Sequence, residues 1–229
     1  MEPAVAELIV ALDIASADGA RRLLDQLPGL RWAKIGPMLF LAAGPDVVRQ
    51  CRARGIRVFL DLKWHDIPHA VAGAVGAASA LGVDLATVHA LGGEDMVRAA
   101  VEARGAMRVA GVSVLTSHTA ESFGRAVGRP RPELAVEVER LARLLVGAGV
   151  DAIVTSPDEI GVVRAVAGPD RWIVVPGIRP AGSDAGDQRR SAEPKVAVAA
   201  GATHLVVGRP ITEAREPGEV YQRICEAIG

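Results

Sequence analysis

The sequence predicts an α/β protein, a single (β/α)8 TIM barrel that spans residues 1–229 as one domain. Short apolar runs alternate eight times with stretches of helical periodicity, and no linker or shift in composition separates them. The runs are continuously apolar, as in parallel strands whose sheet is covered on both faces. An open doubly wound sheet is the alternative, and it is disfavoured because no Gly-x-Gly-x-x-Gly follows the first run.

The composition allows a large core and excludes two classes of partner. Hydrophobic residues make up 50% of the chain and aromatic residues only 3%, so the core is built mainly from Ala, Val, Leu and Ile. The formal net charge of −1 gives no electrostatic reason to expect a nucleic acid or a membrane surface as partner. The first residues lack the basic region of a signal peptide, and a cytoplasmic protein is expected. Cys51 and Cys225 are far apart and have no metal-binding spacing.

The first four strand–helix units follow from the apolar runs and the residues that end them. Strands are predicted at Glu7–Asp13, Trp32–Gly36, Arg57–Leu62 and Leu85–His89. The helices between them are predicted at Ala17–Leu27, Pro37–Arg54, Asp66–Leu81 and Glu94–Arg104. Glycine follows the second and third of these helices directly, at a position where glycine commonly ends a helix.

The last four units are read in the same way. Strands are predicted at Arg108–Leu115, Ala152–Thr155, Trp172–Val175 and His204–Val207. Helices are predicted at Glu133–Gly147, Pro157–Val166 and Ala192–Ala200, with a final helix that ends near Ile228. Two loops are long. The first precedes Glu133, and its arginines are expected to be solvated. The second, from Pro180 to Ser191, has the length and composition of a mobile lid, with an idle surface loop as the alternative.

Polar residues follow most of the predicted strands, and in a closed barrel the carboxyl ends of all strands meet at one face. They come from different strands, so closure of the sheet would bring them together. This convergence favours an active site over a set of unrelated surface charges. The residues are Asp13, Lys34, Asp61, Lys63, His89, Thr116, Arg179 and Arg209.

The densest group of charges follows the third strand. Alternation along a strand places Asp61 and Lys63 on the same face, opposite Leu62. Asp66 follows at the start of the next helix, where a carboxylate suits the helix N-terminus. Charges crowded at the end of a buried strand cost free energy unless they are paired with each other or serve in binding or catalysis. The alternative is a surface salt bridge at the strand end.

The segment Gly208-Arg209-Pro210 is predicted to bind phosphate. Glycine lets the backbone approach a ligand closely, and arginine presents a fork of donors that matches phosphate. The loops after the seventh and eighth strands are a frequent phosphate site in this fold. A tight turn with a surface arginine is the alternative. The five histidines show no metal spacing, and only His89 is placed to line the pocket.

The segment Asp61-x-Lys63-x-x-Asp66-Ile67-Pro68 resembles the orotidine 5′-phosphate decarboxylases. Asp-x-Lys-x-x-Asp alone is shared with Mg²⁺-dependent sugar-phosphate enzymes, whereas Ile-Pro and Gly-Asp-Gln-Arg-Arg resemble the orotidylate enzymes. The further matching motifs are Ala11-Leu12-Asp13, Lys34-Ile35-Gly36, Leu115-Thr116-Ser117, Pro176-Gly177-Ile178-Arg179-Pro180, Gly186-Asp187-Gln188-Arg189-Arg190 and Val207-Gly208-Arg209-Pro210-Ile211-Thr212.

The resemblance implies a reaction and a set of roles. It implies the conversion of orotidine 5′-monophosphate to uridine 5′-monophosphate and CO₂ in de novo pyrimidine biosynthesis, with no metal and no cofactor. It implies a catalytic Lys-Asp-Lys-Asp array of Lys34, Asp61, Lys63 and Asp66, with Lys63 as proton donor. It also implies a homodimer in which Asp66 acts in the partner subunit's site. The implied substrate-binding residues are Asp13, Lys34, Ile67, Thr116, Arg179, Gln188, Gly208 and Arg209.

One position departs from the family pattern, and two other functions stay open. The second residue after Asp-Ile-Pro is usually a threonine that contacts the nucleotide, and here it is Ala70. Weaker substrate binding is the expected consequence. The alternatives are a Mg²⁺-dependent keto-sugar-phosphate decarboxylase or aldolase of the same superfamily, and a barrel that binds a nucleotide without catalysis.

Overall fold

The computed structural model describes residues 6–180 and 190–229. Within them, eight parallel strands close into one barrel in chain order, and the pairing of Leu8 with Leu205 joins the first strand to the last. The predicted fold class is therefore confirmed. The strands are β1 Glu7–Ala11, β2 Trp32–Ile35, β3 Arg57–Trp64, β4 Leu85–His89, β5 Arg108–Val112, β6 Ala152–Val154, β7 Trp172–Val175 and β8 His204–Val207.

Helices surround the barrel. Short 3₁₀ turns at Ala90–Gly92 and Pro157–Glu159 follow β4 and β6. No helix in the described part of the chain is both long and apolar enough to cross a membrane. The helices are α1 Ala17–Asp25, α2 Pro37–Ala43, α3 Asp46–Ala53, α4 Pro68–Ala80, α5 Glu94–Ala103, α6 Ala120–Val127, α7 Leu134–Gly147, α8 Ile160–Ala167, α9 Pro194–Ala199, α10 Arg209–Thr212 and α11 Pro217–Ile228.

Strand alternation divides the core into two layers. On β1, Leu8 and Val10 pack against the helices, whereas Ile9 and Ala11 point into the barrel. This is the period of two that a strand imposes on its side chains. The barrel interior is thus filled with side chains and forms a packed core. Its buried members are Ile9, Ala11, Trp32, Phe59, Leu85, Ala110, Ala152, Val174 and Val206.

The amino end of the barrel is closed by a cluster of rings in edge-on and tilted contact. The Trp172 ring lies 4.2 Å from His204 and 6.1 Å from Trp32, measured between ring centroids. Arg57 and Arg108 cover the two indoles, at 4.6 and 4.2 Å from their centroids. Burial, and then the positive charges of the two arginines, lower the pKa of His204 to about 3. His204 is therefore a neutral structural residue, in agreement with the sequence interpretation.

The predicted helix Pro37–Arg54 is wrong as a single element. It is divided into α2 and α3, because Gly44 has a left-handed φ of 63° and Pro45 follows it. A proline lacks the N–H that would continue the helical ladder, and glycine tolerates positive φ, so the pair stops one helix and starts the next.

The long loop after β5 contains a helix that the sequence interpretation missed. Thr119 and Ser122 form a capping box at the start of α6. The residue three places after the cap is a serine, whereas Glu or Gln is the usual partner in this motif. The loop arginines are also more engaged than expected, because Arg129 pairs with Glu137, whose side chain is buried.

Several predicted boundaries move at the carboxyl end of the barrel. β1 ends at Ala11 and β5 at Val112, so Asp13 and Thr116 lie beyond their strands. β3 instead continues to Trp64. The polar residues thus stand on the loops above the barrel as well as on the strand ends, which is where this fold places its sites.

Candidate active site

A cavity of about 650 Å³ opens at the carboxyl end of the barrel. Its floor is formed by inward-facing apolar residues, among them Phe59, Val154 and Val206. Eight residues predicted from the sequence to belong to the site line its walls: Asp13, Lys34, Asp61, Lys63, Thr116, Arg179, Gly208 and Arg209. Residues from six different strand ends are therefore brought together, as barrel closure requires.

Lys63 is bound to Asp61 in the centre of the site. Its Nζ lies 2.8 Å from Oδ1 and 2.9 Å from Oδ2 of the carboxylate. Leu62 between them packs against the helix layer, as the strand alternation predicts. Thr87 Oγ1 donates to Asp61 Oδ1 at 3.0 Å and is fully buried. The carboxylate thus accepts hydrogen bonds that hold both its orientation and its charge.

Lys34 adds a second ammonium group to Asp61. Its Nζ lies 3.6 Å from Asp61 Oδ2 and 2.9 Å from Asp13 Oδ1. A Cβ at Gly36 would stand 3.2 Å from the Asp13 carboxylate and 3.4 Å from the Lys34 amine. Glycine therefore leaves room for this ion pair. The resulting order of charges across the cavity is Asp13, Lys34, Asp61 and Lys63.

The charges of the site keep Asp61 ionised. Its burial alone would raise the carboxyl pKa, but the positive charges of Lys63 and Lys34 and the hydrogen bonds from Lys63 and Thr87 together bring that pKa below its ordinary 3.8. A buried carboxylate between two ammonium groups is stable only as an anion. Asp61 is consequently negative throughout the neutral pH range.

Lys63 has a strained backbone. Its φ of 49° lies in the left-handed region, which non-glycine residues seldom occupy. The pairing of β3 with β4 shifts between Leu60 and Trp64, and the Lys63 N–H donates to Thr87 Oγ1 at 2.8 Å. Strain of this kind persists where the surroundings over-determine it, often at functional sites. Thr87 therefore holds both the Lys63 backbone and the Asp61 side chain.

Asp66 and Ile67 lie outside this chain's cavity. Asp66 is exposed, its Oδ1 accepts from its neighbour's N–H at 2.7 Å, and no cation among the described residues lies within 4.0 Å of its carboxylate. The helix predicted at Asp66–Leu81 begins two residues later, at Pro68 with Ile67 as its N-cap, so Asp66 lies just before the helix. Ile67 is 66% exposed, which is unusual for so large an apolar side chain.

The predicted phosphate residues lie together on the loops after β7 and β8. Arg179, Gly208 and Arg209 all border the cavity. Arg179 is positioned by its N–H, which donates to the Ala192 carbonyl at 2.9 Å. Gln188 and most of the predicted lid belong to residues 181–189, which lie outside the described part of the chain.

His89 does not border the cavity, and its expected place in the pocket is not observed. Its ring stacks on His65 with 5.7 Å between centroids, and its Nδ1 accepts from the Leu91 N–H at 3.2 Å. Burial, followed by the charges of His65, Lys63 and His118, lowers the His89 pKa to about 4. His89 is thus a neutral residue that shapes the loop after β4.

Four polar residues of the site were missed from the sequence. Thr87 alternates with His89 on β4 and could have been found from that spacing. Thr155 was assigned to the end of a strand, and Ser117 and Glu213 follow predicted residues, but nothing in the sequence singles them out. Ser117, Thr155 and Glu213 border the cavity. Within the described ranges, no group of three or more His, Cys, Asp or Glu is arranged to hold a metal ion.

A closed (β/α)8 barrel with paired charges in a cavity at its carboxyl end defines a TIM-barrel enzyme. Residues 6–224 match the Orotidine 5′-phosphate decarboxylase / HUMPS family, and the chain belongs to that family. The resemblance seen in the sequence motifs is therefore confirmed.

Named relatives and a solved structure agree with the family. The orotidine 5′-phosphate decarboxylase of Halorhodospira halophila is 47% identical over 99% of this chain and 97% of its own length. That of Thermobifida fusca is 49% identical over 93% of this chain and 91% of its own length. The crystal structure of the Lactobacillus acidophilus enzyme has a TM-score of 0.87 and 33% identity, and covers 98% of this chain and 99% of that one. The predicted enzyme class, a carboxy-lyase, is confirmed by these relatives.

Proposed function

We propose that this chain, as a single catalytic domain, decarboxylates orotidine 5′-monophosphate to uridine 5′-monophosphate in de novo pyrimidine biosynthesis. The observation that carries the proposal is the ammonium group of Lys63, held 2.8 Å from the buried carboxylate of Asp61 inside a cavity of nucleotide size. The two named relatives, 47% and 49% identical to this chain, are orotidine 5′-phosphate decarboxylases, which supports the same reaction here.

The reaction needs a cation and a proton at one carbon atom of the pyrimidine. The bond from C6 to the carboxylate breaks, its electron pair stays on C6, and CO₂ leaves. No adjacent π system delocalises this charge, so a preorganised positive group must stabilise it. The Lys63 ammonium then donates its proton to C6, which forms the C–H bond and leaves a neutral amine that solvent reprotonates.

Asp61 and Lys34 prepare Lys63 for this role. The positive charges of both lysines help to hold the Asp61 pKa below its ordinary value, and the Asp61 carboxylate fixes the position of both ammonium groups. Asp61 is therefore ionised before the substrate arrives. The substrate carboxylate is proposed to lie beside Asp61, where two negative groups would oppose each other until CO₂ leaves.

The remaining site residues are proposed to bind different parts of the nucleotide. Arg179, Gly208 and Arg209, which border one side of the cavity, are proposed to bind the phosphate. Guanidinium groups suit this role because their donors match phosphate oxygens in pairs. Thr116 is proposed to contact the pyrimidine and Asp13 the ribose hydroxyls. Gln188 is proposed to bridge phosphate and base.

A homodimer would complete the site with Asp66 of the second subunit. The support is the apolar surface on the loops and helices that follow β2, β3 and β4. Leu41 is 85% exposed, Ile67 66%, Met38 47% and Leu91 40%. Large apolar side chains gathered on one part of a surface mark an interaction site. Ile67 would then reach the neighbouring cavity together with Asp66, and Ala70 would leave out a polar contact there.

The Mg²⁺-dependent alternative needs a divalent cation bound to carboxylates of the site, of which Asp61 is the buried one. Here both oxygens of Asp61 already contact the Lys63 ammonium, and Lys34 lies within 4 Å of one of them. Two positive groups on the same carboxylate oppose the binding of a further cation. The arrangement therefore favours the metal-independent reaction.

The test is the addition of orotidine 5′-monophosphate to the purified protein in the presence of EDTA. We expect loss of the substrate's ultraviolet absorbance, with uridine 5′-monophosphate and CO₂ as products. Turnover of a keto-sugar phosphate that depends on added Mg²⁺, without turnover of the nucleotide, would contradict the proposal. Binding of the nucleotide with no product in either condition would identify a barrel without catalysis.

A further inference from the structure

A buried ion pair lies behind the wall of the cavity and takes no part in the proposed chemistry. Arg190 Nη1 lies 2.6 Å from Glu159 Oε1, and the two side chains are only 10% and 7% exposed. Taking both partners together, no other ion pair among the described residues is as buried. Neither side chain borders the cavity. The pair therefore has no direct access to a bound nucleotide.

The Arg190 guanidinium connects three parts of the chain. Its second nitrogen, Nη2, donates to the Leu115 carbonyl at 2.9 Å, in the segment after β5. Glu159 belongs to the 3₁₀ turn after β6, and its carboxylate also accepts a hydrogen bond from the Ser156 hydroxyl. The Arg190 backbone belongs to the segment that leads into α9.

Each connected segment carries part of the cavity wall. Leu115 is followed by Thr116 and Ser117, and all three border the cavity. On the other side, Ala192 forms a parallel bridge with Ile178, its N–H donates to Gly177 at 3.4 Å, and its carbonyl accepts from Arg179 at 2.9 Å. Arg190 and Ala192, which flank Ser191, thus link the part of the wall that contains Thr116 to the part that contains Arg179.

We propose that Glu159 and Arg190 are a positioning pair that sets the separation between Thr116 and Arg179, and so between the binding positions for the base and the phosphate. The proposal rests on the proposed function. A planar guanidinium can bind a carboxylate and a carbonyl at once, which a single ammonium point charge does not do in the same geometry. Two charges this buried contribute little net stability compared with apolar packing, and geometric specificity is what such a pair supplies.

Loss of the pair should affect turnover of the nucleotide and of the nucleoside differently. A nucleotide must reach both walls at once, whereas orotidine, which has no phosphate, needs only the wall with Thr116. Glu159→Gln and Arg190→Lys should therefore lower kcat/KM for the nucleotide by about tenfold or more, and change kcat/KM for orotidine by less than about threefold. The double variant Glu159→Gln/Arg190→Lys should lose little more than either single variant, because the partners act as a unit.

The matched control is Asp151→Asn at the amino end of the barrel. Asp151 pairs with Arg104 at 3.1 Å and accepts from the Val109 N–H at 2.9 Å, so it too combines an ion pair with a backbone contact. It should lower the melting temperature without changing the nucleotide-to-nucleoside ratio. Circular dichroism and melting curves of every variant would show that the fold is retained.

The outcomes separate this proposal from the proposed function. No turnover by the wild type would contradict the proposed function, and the pair would then be judged from calorimetric binding of uridine 5′-monophosphate relative to uridine. An unchanged ratio in folded Glu159→Gln, whether measured by kinetics or by binding, would overturn the positioning role. The same ratio change in Asp151→Asn would also overturn it, since the effect would then come from general loss of stability.

Discussion

Lys63 combines three properties at one residue: a contact with a buried carboxylate, a left-handed backbone and a position in the cavity. The chain has only three lysines, and two of them contact Asp61. Lys195, the third, is exposed on α9. Because Lys63 lies in the cavity and Lys195 on the surface, the two lysines allow a controlled test of the proposed proton donor.

We expect Lys63→Ala to abolish turnover of the nucleotide. The variant removes both the cation that stabilises the C6 charge and the proton that C6 receives, so the rate should fall by at least about 10² to 10⁴-fold. Steady-state absorbance assays would measure the loss, and circular dichroism would confirm the fold. Lys195→Ala should remain fully active. A folded Lys63→Ala protein that retained most of the activity would refute the assignment of Lys63 as proton donor.

His89 should make stability depend on pH. Its folded pKa of about 4 lies below the ordinary 6.5, because of burial and the nearby His65, Lys63 and His118. The unfolded chain therefore binds the proton at higher pH, and the stabilisation is complete above about pH 6.5 and is lost as the pH falls towards 4.

Replacing His89 should flatten that part of the stability profile. In His89→Asn the amide oxygen can still accept from the Leu91 N–H, but the titrating ring is gone. Urea unfolding between pH 7 and pH 4 should show a shallower decline than in the wild type. His204 keeps its own acid dependence in both proteins. The exposed His69→Asn serves as control, and a steep decline retained in His89→Asn would argue against this role.

At the scale of elements, the loops after β7 and β8 supply the arginines of the cavity. α10, which follows Gly208, has only four residues, so the arginine side chain is the main source of positive charge at this position. A Cβ at Gly208 would reach Ala11 at 3.5 Å and Asp13 at 3.8 Å. These are ordinary contacts, and the glycine serves to leave space in the cavity.

We expect Arg209→Ala to act on the phosphate alone. kcat/KM for the nucleotide should fall by several powers of ten, each tenfold loss being about 1.4 kcal/mol, and decarboxylation of orotidine should barely change. Added phosphite should accelerate the wild type with orotidine far more than the variant. Exposed Arg215→Ala, on the adjoining loop, should behave like the wild type. Equal losses for nucleotide and nucleoside would show that Arg209 supports the barrel instead.

At the scale of the whole molecule, the site of one chain lacks the second aspartate of the proposed array. Asp66 is exposed and does not border its own chain's cavity, and it is followed by an exposed apolar residue, Ile67. A two-fold dimer would place the same surface of each chain against the other and supply each cavity with the missing carboxylate.

Subunit mixing tests the shared site. Asp66→Asn and Lys63→Ala should each be inactive as homodimers, and an equal mixture should recover about a quarter of wild-type activity, because half the dimers are hybrids with one intact site. Exchange would be followed with differently tagged subunits in native mass spectrometry. Proven exchange without recovered activity would mean that Asp66 acts within its own chain, or not at all.

Some features of the molecule could be predicted from the sequence, and others could not. The capping of α6 uses serine in place of the expected acid, so the helix could not be read from the usual motif. The break between α2 and α3 was readable from Gly44-Pro45. His89 was assigned to the pocket because it ends a strand, whereas its side chain stacks on His65 outside the cavity.

The sequence alone determined the barrel and the identity of most of the charged and polar residues that line the cavity. Both depend on local patterns, because apolar runs, helical spacing and the polar residue after each strand are set within a few positions of one another. Tertiary structure decided the rest. The β2–β3 pairing brings Lys34 to Asp61, the β3–β4 pairing places Thr87 beneath Lys63, and Arg190 reaches Glu159 and Leu115 across 31 and 75 residues. These contacts join positions far apart in the chain, and no local pattern specifies them.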